Sequence, residues 1–140
     1  MTTVNYEYYV SLEVAKLLKE AGFDWECSKI YYCCREDGDT WELEDNYKNY
    51  KSILKLDHCL LTPTLEVAQR WLREVKGIYT MVFKDFATID GWHYFVVKKE
   101  DWESGNESNF YQQESNNHTY EEAQEAGIKK ALEIILEKGK

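Results

Sequence analysis

The stretch TPTLEVAQRWLREVK, residues 62 to 76, sets the terms for everything around it, because it carries a tryptophan on one face of an amphipathic helix. At about 100° per residue, Leu65, Val67, Ala68, Trp71, Leu72 and Val75 fall on one half of the helix, while Glu66, Gln69, Arg70, Arg73 and Lys76 take the other. Thr62 suits the N-cap, Pro63 the first helical position and Gly77 the exit. An apolar stripe centred on an indole needs a second layer to bury it, so the flanking sequence must supply sheets or helices with matching apolar faces.

The flanks supply both. Beyond Gly77, IYTMVFK (78 to 84) is rich in β-branched and aromatic residues and predicts a strand; residues 85 to 91 turn the chain, and WHYFVVK (92 to 98) returns. Apolar residues on both faces of that return strand predict a central position, covered on both sides. Upstream, Ser11 caps a helix over 12 to 21 with Val14, Ala15, Leu17, Leu18 and Ala21 on its stripe. IYYCCREDGDTWELE (30 to 44) then reads as a hairpin about Asp37-Gly38, the dipeptide of a two-residue type I′ turn. That turn sets Cys34 against Trp41 and Tyr32 against Leu43, burying Ile30, Tyr32, Cys34, Trp41 and Leu43 on one side.

The remaining segments are plainer. Tyr6, Tyr8 and Tyr9 suggest a short edge strand, and 45 to 61 a connection with a short strand near Ile53 to Leu56. Residues 100 to 118, polar and without periodicity, read as a loop. Thr119-x-x-Glu122 is a capping box opening a long helix over 119 to 138. The expectation is an α+β fold in a single domain of 140 residues: an antiparallel sheet from two β-hairpins packed with three helices, in the order αββαββα. LEVA at residues 12 to 15 recurs at 65 to 68, which suggests an internal αββ repeat over 12–44 and 63–98 with 119–138 closing the fold.

Charge narrows the function classes. Seventeen basic against twenty-six acidic residues give a formal charge of −9, and no stretch gathers the basic ones, which argues against a phosphate backbone as ligand. No long apolar segment and no basic leader is present, so the expectation is a cytoplasmic protein off the membrane. Glu36, Asp37, Asp39, Glu42, Glu44 and Asp45 crowd the predicted hairpin and form the candidate partner-binding site. Their spacing lacks the pattern of a calcium loop.

Catalytic and cofactor signatures are not found in the sequence: no phosphate-binding glycine loop, nucleophile elbow or zinc-protease motif, so neither catalytic, cofactor-binding nor metal residues are assigned. Four cysteines, Cys27, Cys33, Cys34 and Cys59, lack zinc-site spacing, and adjacent Cys33 and Cys34 diverge if they lie in a strand. Cys27, one of that pair, His58 and Cys59 form the one metal constellation to weigh, and Cys59 with His58 and Cys33 or Cys34 the one thiol-enzyme constellation. Aromatic surplus without catalytic motifs points instead to a non-catalytic protein that holds a protein partner, with an acidic imitation of nucleic acid as the alternative.

Three segments, YVSLEVAKLLKEAGF, TPTLEVAQRWLREVKGI and TYEEAQEAGIKKALEIIL, together resemble a family of short uncharacterised proteins carried by gut Bacteroidales and by their phages and mobile elements. The resemblance implies a phage or mobile-element origin and carries over no activity and no site residues. Residues 63 to 138 are also similar to double-stranded-RNA-binding folds and to HicB-type antitoxins, whose sheet is backed by helices, and TYEEAQEAGIKKAL is similar to the helix that follows the antitoxin sheet; lysines are not concentrated at either helix start, which argues against RNA and leaves a protein partner open.

Overall fold

The computed structural model describes residues 8–33, 40–45, 56–84, 91–106, 111–112 and 117–138. Its elements run α1 (Leu12–Glu20), β1 (Lys29–Cys33), β2 (Trp41–Asp45), β3 (Cys59–Leu61), α2 (Leu65–Val75), β4 (Ile78–Lys84), β5 (Trp92–Lys98), α3 (Lys99–Ser104), β6 (Tyr111–Gln112) and α4 (Tyr120–Lys138). This is the α+β architecture expected, with two antiparallel three-stranded sheets, ordered β2-β1-β3 and β4-β5-β6.

The two LEVA helices begin side by side. The hydroxyl of Ser11 accepts the Val14 amide at 3.2 Å, and that of Thr64 accepts the Val67 amide at 3.3 Å. The cap of α2 is therefore Thr64 and not Thr62 as the sequence suggested. Thr62 and Pro63 still belong to extended chain: the Thr62 amide donates to Lys29 O, prolonging the β1–β3 ladder, and Pro63 O accepts the Val10 amide. An antiparallel bridge of Tyr9 with Thr64, completed by the Leu65 amide donating to Tyr8 O at 2.8 Å, joins the entries to the two helices. At the far end of α2, Gly77 takes φ +66°, a conformation open to glycine without strain, and turns the chain into β4.

Trp71 is buried to 1% exposure, edge-on to Phe23 with ring centres 5.3 Å apart. Leu65, Ala68 and Leu72 are buried with it, but Val75 is 52% exposed, because the last turn of α2 projects past the core.

The first sheet departs from the predicted register by one residue. Cys33 pairs with Trp41, Tyr32 with Glu42 and Tyr31 with Leu43. Residues 34–40 intervene between the first of these pairs, an odd number, whereas the two-residue turn requires an even one; a slip of one residue moves every side chain to the other face. Leu43 accordingly lies with Tyr31 and Trp41 and is exposed, while Ile30 and Tyr32 share their face with Glu42 and Glu44. The position of Cys34, like the Asp37-Gly38 turn, lies outside the described residues. The third strand forms at Cys59–Leu61, not near Ile53 to Leu56: Leu56 is in no strand, and residues 53–55 lie outside the described set.

The second sheet has β5 at its centre, as predicted. The expected loop over 100 to 118 contains two elements the polar sequence did not announce. α3 ends on left-handed Gly105, and β6 adds to β5 through Phe95↔Gln112 and Val96↔Tyr111. The two echoed units thus each make a helix and a hairpin, but the third strand joins β1 in the first sheet and β5 in the second.

The closing helix α4 ties the parts together. One half of the expected capping box forms, with Thr119 Oγ1 accepting the Glu122 amide at 3.1 Å, while the Glu122 carboxylate reaches past the cap residue and accepts the His118 amide instead. Ala123 is fully buried, and Ile128, Ala131 and Leu132 are fully buried in a core shared with Val14, Leu18, Leu72 and Val96. A Cβ on Gly127 would stand 3.1 Å from that of Tyr94, so glycine permits the close approach to β5. Glu125 accepts the Ser11 amide at 2.6 Å, Lys129 pairs with Glu13 at 2.8 Å, and Gln124 donates to Gln69 Oε1 at 2.8 Å; Gln69 in turn donates to Thr80 O. Among the described residues no helix is long and apolar enough to cross a membrane.

Candidate functional site

Of the six predicted acidic site residues, Glu36, Asp37 and Asp39 lie outside the described residues. The other three sit on the edge strand β2 and divide between its faces. Glu42 and Glu44 are exposed opposite Tyr32 and Ile30, whereas Asp45 lies on the reverse face and forms an ion pair with Lys29. On that reverse face Trp41 is half-buried, with the Lys16 ammonium 5.3 Å from its ring centre. Glu42 and Glu44 are thus the described pair that presents one face to solvent.

The cysteine constellations come apart in space where they run through Cys33, and where they run through Cys34 they lie outside the described residues. Cys27, Cys33 and Cys59 are buried thiols in no disulfide, and Cys34 lies outside the described residues. β3 sets Cys59 directly opposite Tyr32, so Cys33, the next residue of β1, points to the other face of the sheet. His58 lies edge-on to Tyr32 with ring centres 5.5 Å apart, and its carbonyl accepts the Cys33 amide. Burial pushes the Cys27 thiol up to about 12, with Glu26 adding to the effect, which is opposite to the depression that activates a thiol nucleophile. Among the described residues no group of three or more His, Cys, Asp and Glu is placed to hold a metal.

The feature that sequence reading missed is the outer face of the second sheet. α4 lies against one face, where Tyr94 meets Gly127 and Trp92 packs edge-on to Tyr120 at 5.5 Å. Alternation puts Tyr79, Met81 and Phe83 of β4, with His93, Phe95 and Val97 of β5, on the other. The predicted two-sided cover is partial there. Val97 and His93 are buried, but Phe83 is 36% exposed, lying over His93 with centres 5.3 Å apart and planes 19° from parallel. Trp102 of α3, half-exposed at 50%, borders a 290 Å³ groove with Tyr79, Met81 and, from the exposed flank of α2, Arg73. The signal was legible as Tyr79, Met81, Phe83 and His93, Phe95 recurring with period two; Trp102 lay hidden in the stretch read as loop.

This surface is built of Tyr79, Met81, Phe83, His93, Phe95 and Val97, with Trp102 and Arg73 at its border. It offers aromatic rings, a thioether and a guanidinium, the residue types that anchor protein interfaces. Searches against family models, curated proteins and solved structures return no match to this chain.

Proposed function

We propose that this chain is a non-catalytic accessory protein of phage or mobile-element origin, and that it works by holding a protein partner on the outer face of its second sheet. The observation that carries the reading is the patch of Phe83 and Trp102, both large, aromatic and exposed, beside half-buried Tyr79, Met81 and Phe95. Rings held by sheet and helix backbone bury large area at small entropic cost when a partner docks. A charge of −9 favours a partner with basic groups around that apolar centre and disfavours a polynucleotide.

The test is a double substitution, Phe83→Asp with Trp102→Ala, in tagged protein expressed in the host. The partner retained by the wild-type chain should be lost from the variant while its thermal midpoint stays within a few degrees. Equal retention by both would remove this face from the reading.

A second reading, an acidic imitation of nucleic acid or an antitoxin-like inhibitor, is favoured by Glu42 and Glu44 standing together on an exposed edge strand. Charges on an edge strand also deter unwanted strand pairing, which accounts for them without a ligand. Replacing Glu36, Asp37, Asp39, Glu42, Glu44 and Asp45 by their amides separates the two readings, because only the second predicts loss of partner retention.

A further inference from the structure

The two sheets have four edge strands among the described residues, and the four are not alike. β3 and β6 are only three and two residues long, and β2 carries Glu42, Glu44 and Asp45. Shortness and charge are the ordinary means of keeping another chain off a sheet edge. β4 has neither: it pairs with β5 in one unbroken register from Ile78 to Lys84, and it holds no proline and no charge before Lys84.

The register settles which of its backbone groups face outward. The Lys99 amide donates to Gly77 O, so the bonded pairs with β5 fall at residues 77, 79, 81 and 83. Ile78, Thr80 and Val82 therefore turn their N–H and C=O groups away from β5. Gln69 of α2 meets one of them there, its Nε2 donating to Thr80 O at 3.0 Å. The amides of Thr80 and Val82 and the Val82 carbonyl make no hydrogen bond with the described residues, and neither residue is buried. This edge opens into the 290 Å³ groove, where Thr80 lies between Gln69 and Arg73 on one side and Tyr79, Met81 and Trp102 on the other. Arg73 is exposed and has no anionic partner among the described residues, in a chain of charge −9.

We propose that an extended segment of the protein partner adds to the open edge of β4 as a fourth, antiparallel strand. Unmet backbone donors and acceptors at strand spacing are the recognition element of strand addition, and pockets for alternate side chains give it specificity. Here alternate side chains of the segment enter the groove against Tyr79, Met81 and Trp102, and a carboxylate among them meets Arg73. Opposite Thr80 the segment serves as acceptor only, because Gln69 holds the Thr80 carbonyl. The same bond disfavours a second copy as occupant: β4 paired with itself about a two-fold axis at Thr80 or Met81 calls on that carbonyl in both copies. The proposal rests on the outer-face reading and adds to it the partner's backbone conformation and one acidic side chain.

The experiment is an NMR titration of the full chain with a capped heptapeptide that alternates valine and threonine around a central glutamate. Its controls are the same peptide N-methylated throughout its backbone, and one with lysine in place of glutamate. The plain peptide should shift the Thr80 and Val82 amides saturably and slow their hydrogen exchange at least about tenfold. The methylated peptide should do neither, and the lysine peptide should bind more weakly, an order that Arg73→Glu should reverse. Val82→Pro removes one outward N–H and no bond to β5, the setting in which an edge strand accepts proline. It should weaken binding while the β4–β5 amides stay protected.

Absence of shifts at Thr80 and Val82, equal binding of the methylated peptide, or equal binding of the glutamate and lysine peptides would overturn the proposal. A dimer in sedimentation that Val82→Pro dissociates would overturn the assignment to a partner and place a second copy at the edge. Partner retention lost in the Phe83 and Trp102 variant but intact in Val82→Pro would sink the added strand while leaving the outer-face reading standing.

Discussion

Trp71 shows what one side chain settles and leaves unsettled. Its ring fills the centre of the core, yet its Nε1–H is buried with no acceptor among the described residues. Trp71→Ala should cost about 3 to 5 kcal/mol through lost burial and the cavity left behind. Trp71→Phe should cost less than half of that, because it keeps most of the contact and deletes an unsatisfied donor that itself costs about 1 to 3 kcal/mol. Urea midpoints for the two variants check the ranking. Cys27 bears on stability from another direction. Its proton is held more tightly folded, at about 12, than at the ordinary thiol value of 9.0, and burial also raises Tyr31 and Tyr94. Stability from this group is therefore full below about pH 9 and drains away as pH climbs toward 12. Melting temperature should fall more steeply between pH 8 and pH 10.5 in the wild type than in Cys27→Ala, and parallel curves would contradict that assignment.

At the scale of elements, sequence patterns spoke where periodicity was long and fell silent where tertiary partners decide. The stripe of α2 and strands β4 and β5 were legible because each repeats a period over several residues, and the start of α4 because Thr119 and Glu122 stand at cap spacing. The cap of α2 was misplaced by two residues because Thr62 and Thr64 are chemically alike, and only the pairing of Thr62 with Lys29 makes the first of them strand. Strand β6 is two residues long and owes its form to β5; no local signal could announce it. The outer aromatic face was written in period two, but whether a face is covered depends on where α3 lands. Gly127 carries a testable consequence. Alanine there gains about 1 kcal/mol of helix propensity, but its Cβ would meet the Tyr94 Cβ at 3.1 Å, an atom fixed to a central strand, so that strand or helix must give by a few tenths of an ångström. Gly127→Ala should therefore destabilise by about 1 kcal/mol or more, and a net gain in the urea midpoint would show that α4 and β5 can move apart.

At the scale of the molecule, α4 is the part that neither half can replace. It packs on β4 and β5, touches α1 and α2, and reaches α1 by the Glu125–Ser11 hydrogen bond and the Lys129–Glu13 ion pair. That exposed ion pair is worth little by itself, so the tie is apolar: Ile128, Leu132 and Ala131 belong to the same buried cluster as Leu18 of α1, Leu72 of α2 and Ile30 of β1. Without α4, the inner face of the second sheet and the stripes of α1 and α2 would all open to water at once. Each buried Ile or Leu so exposed forfeits about 1.5 to 3 kcal/mol, so three or four of them forfeit about 5 to 12 kcal/mol, comparable with the whole margin of about 5 to 15 kcal/mol by which a domain is folded. The intact chain should therefore melt in a single cooperative transition in which fluorescence from Trp71 and far-ultraviolet circular dichroism coincide. A chain ending at His118 should show neither that transition nor dispersed amide resonances, even though both sheets lie within it. Two separate transitions in the intact chain, or a folded truncated one, would mean that the two helix-and-hairpin units stand alone.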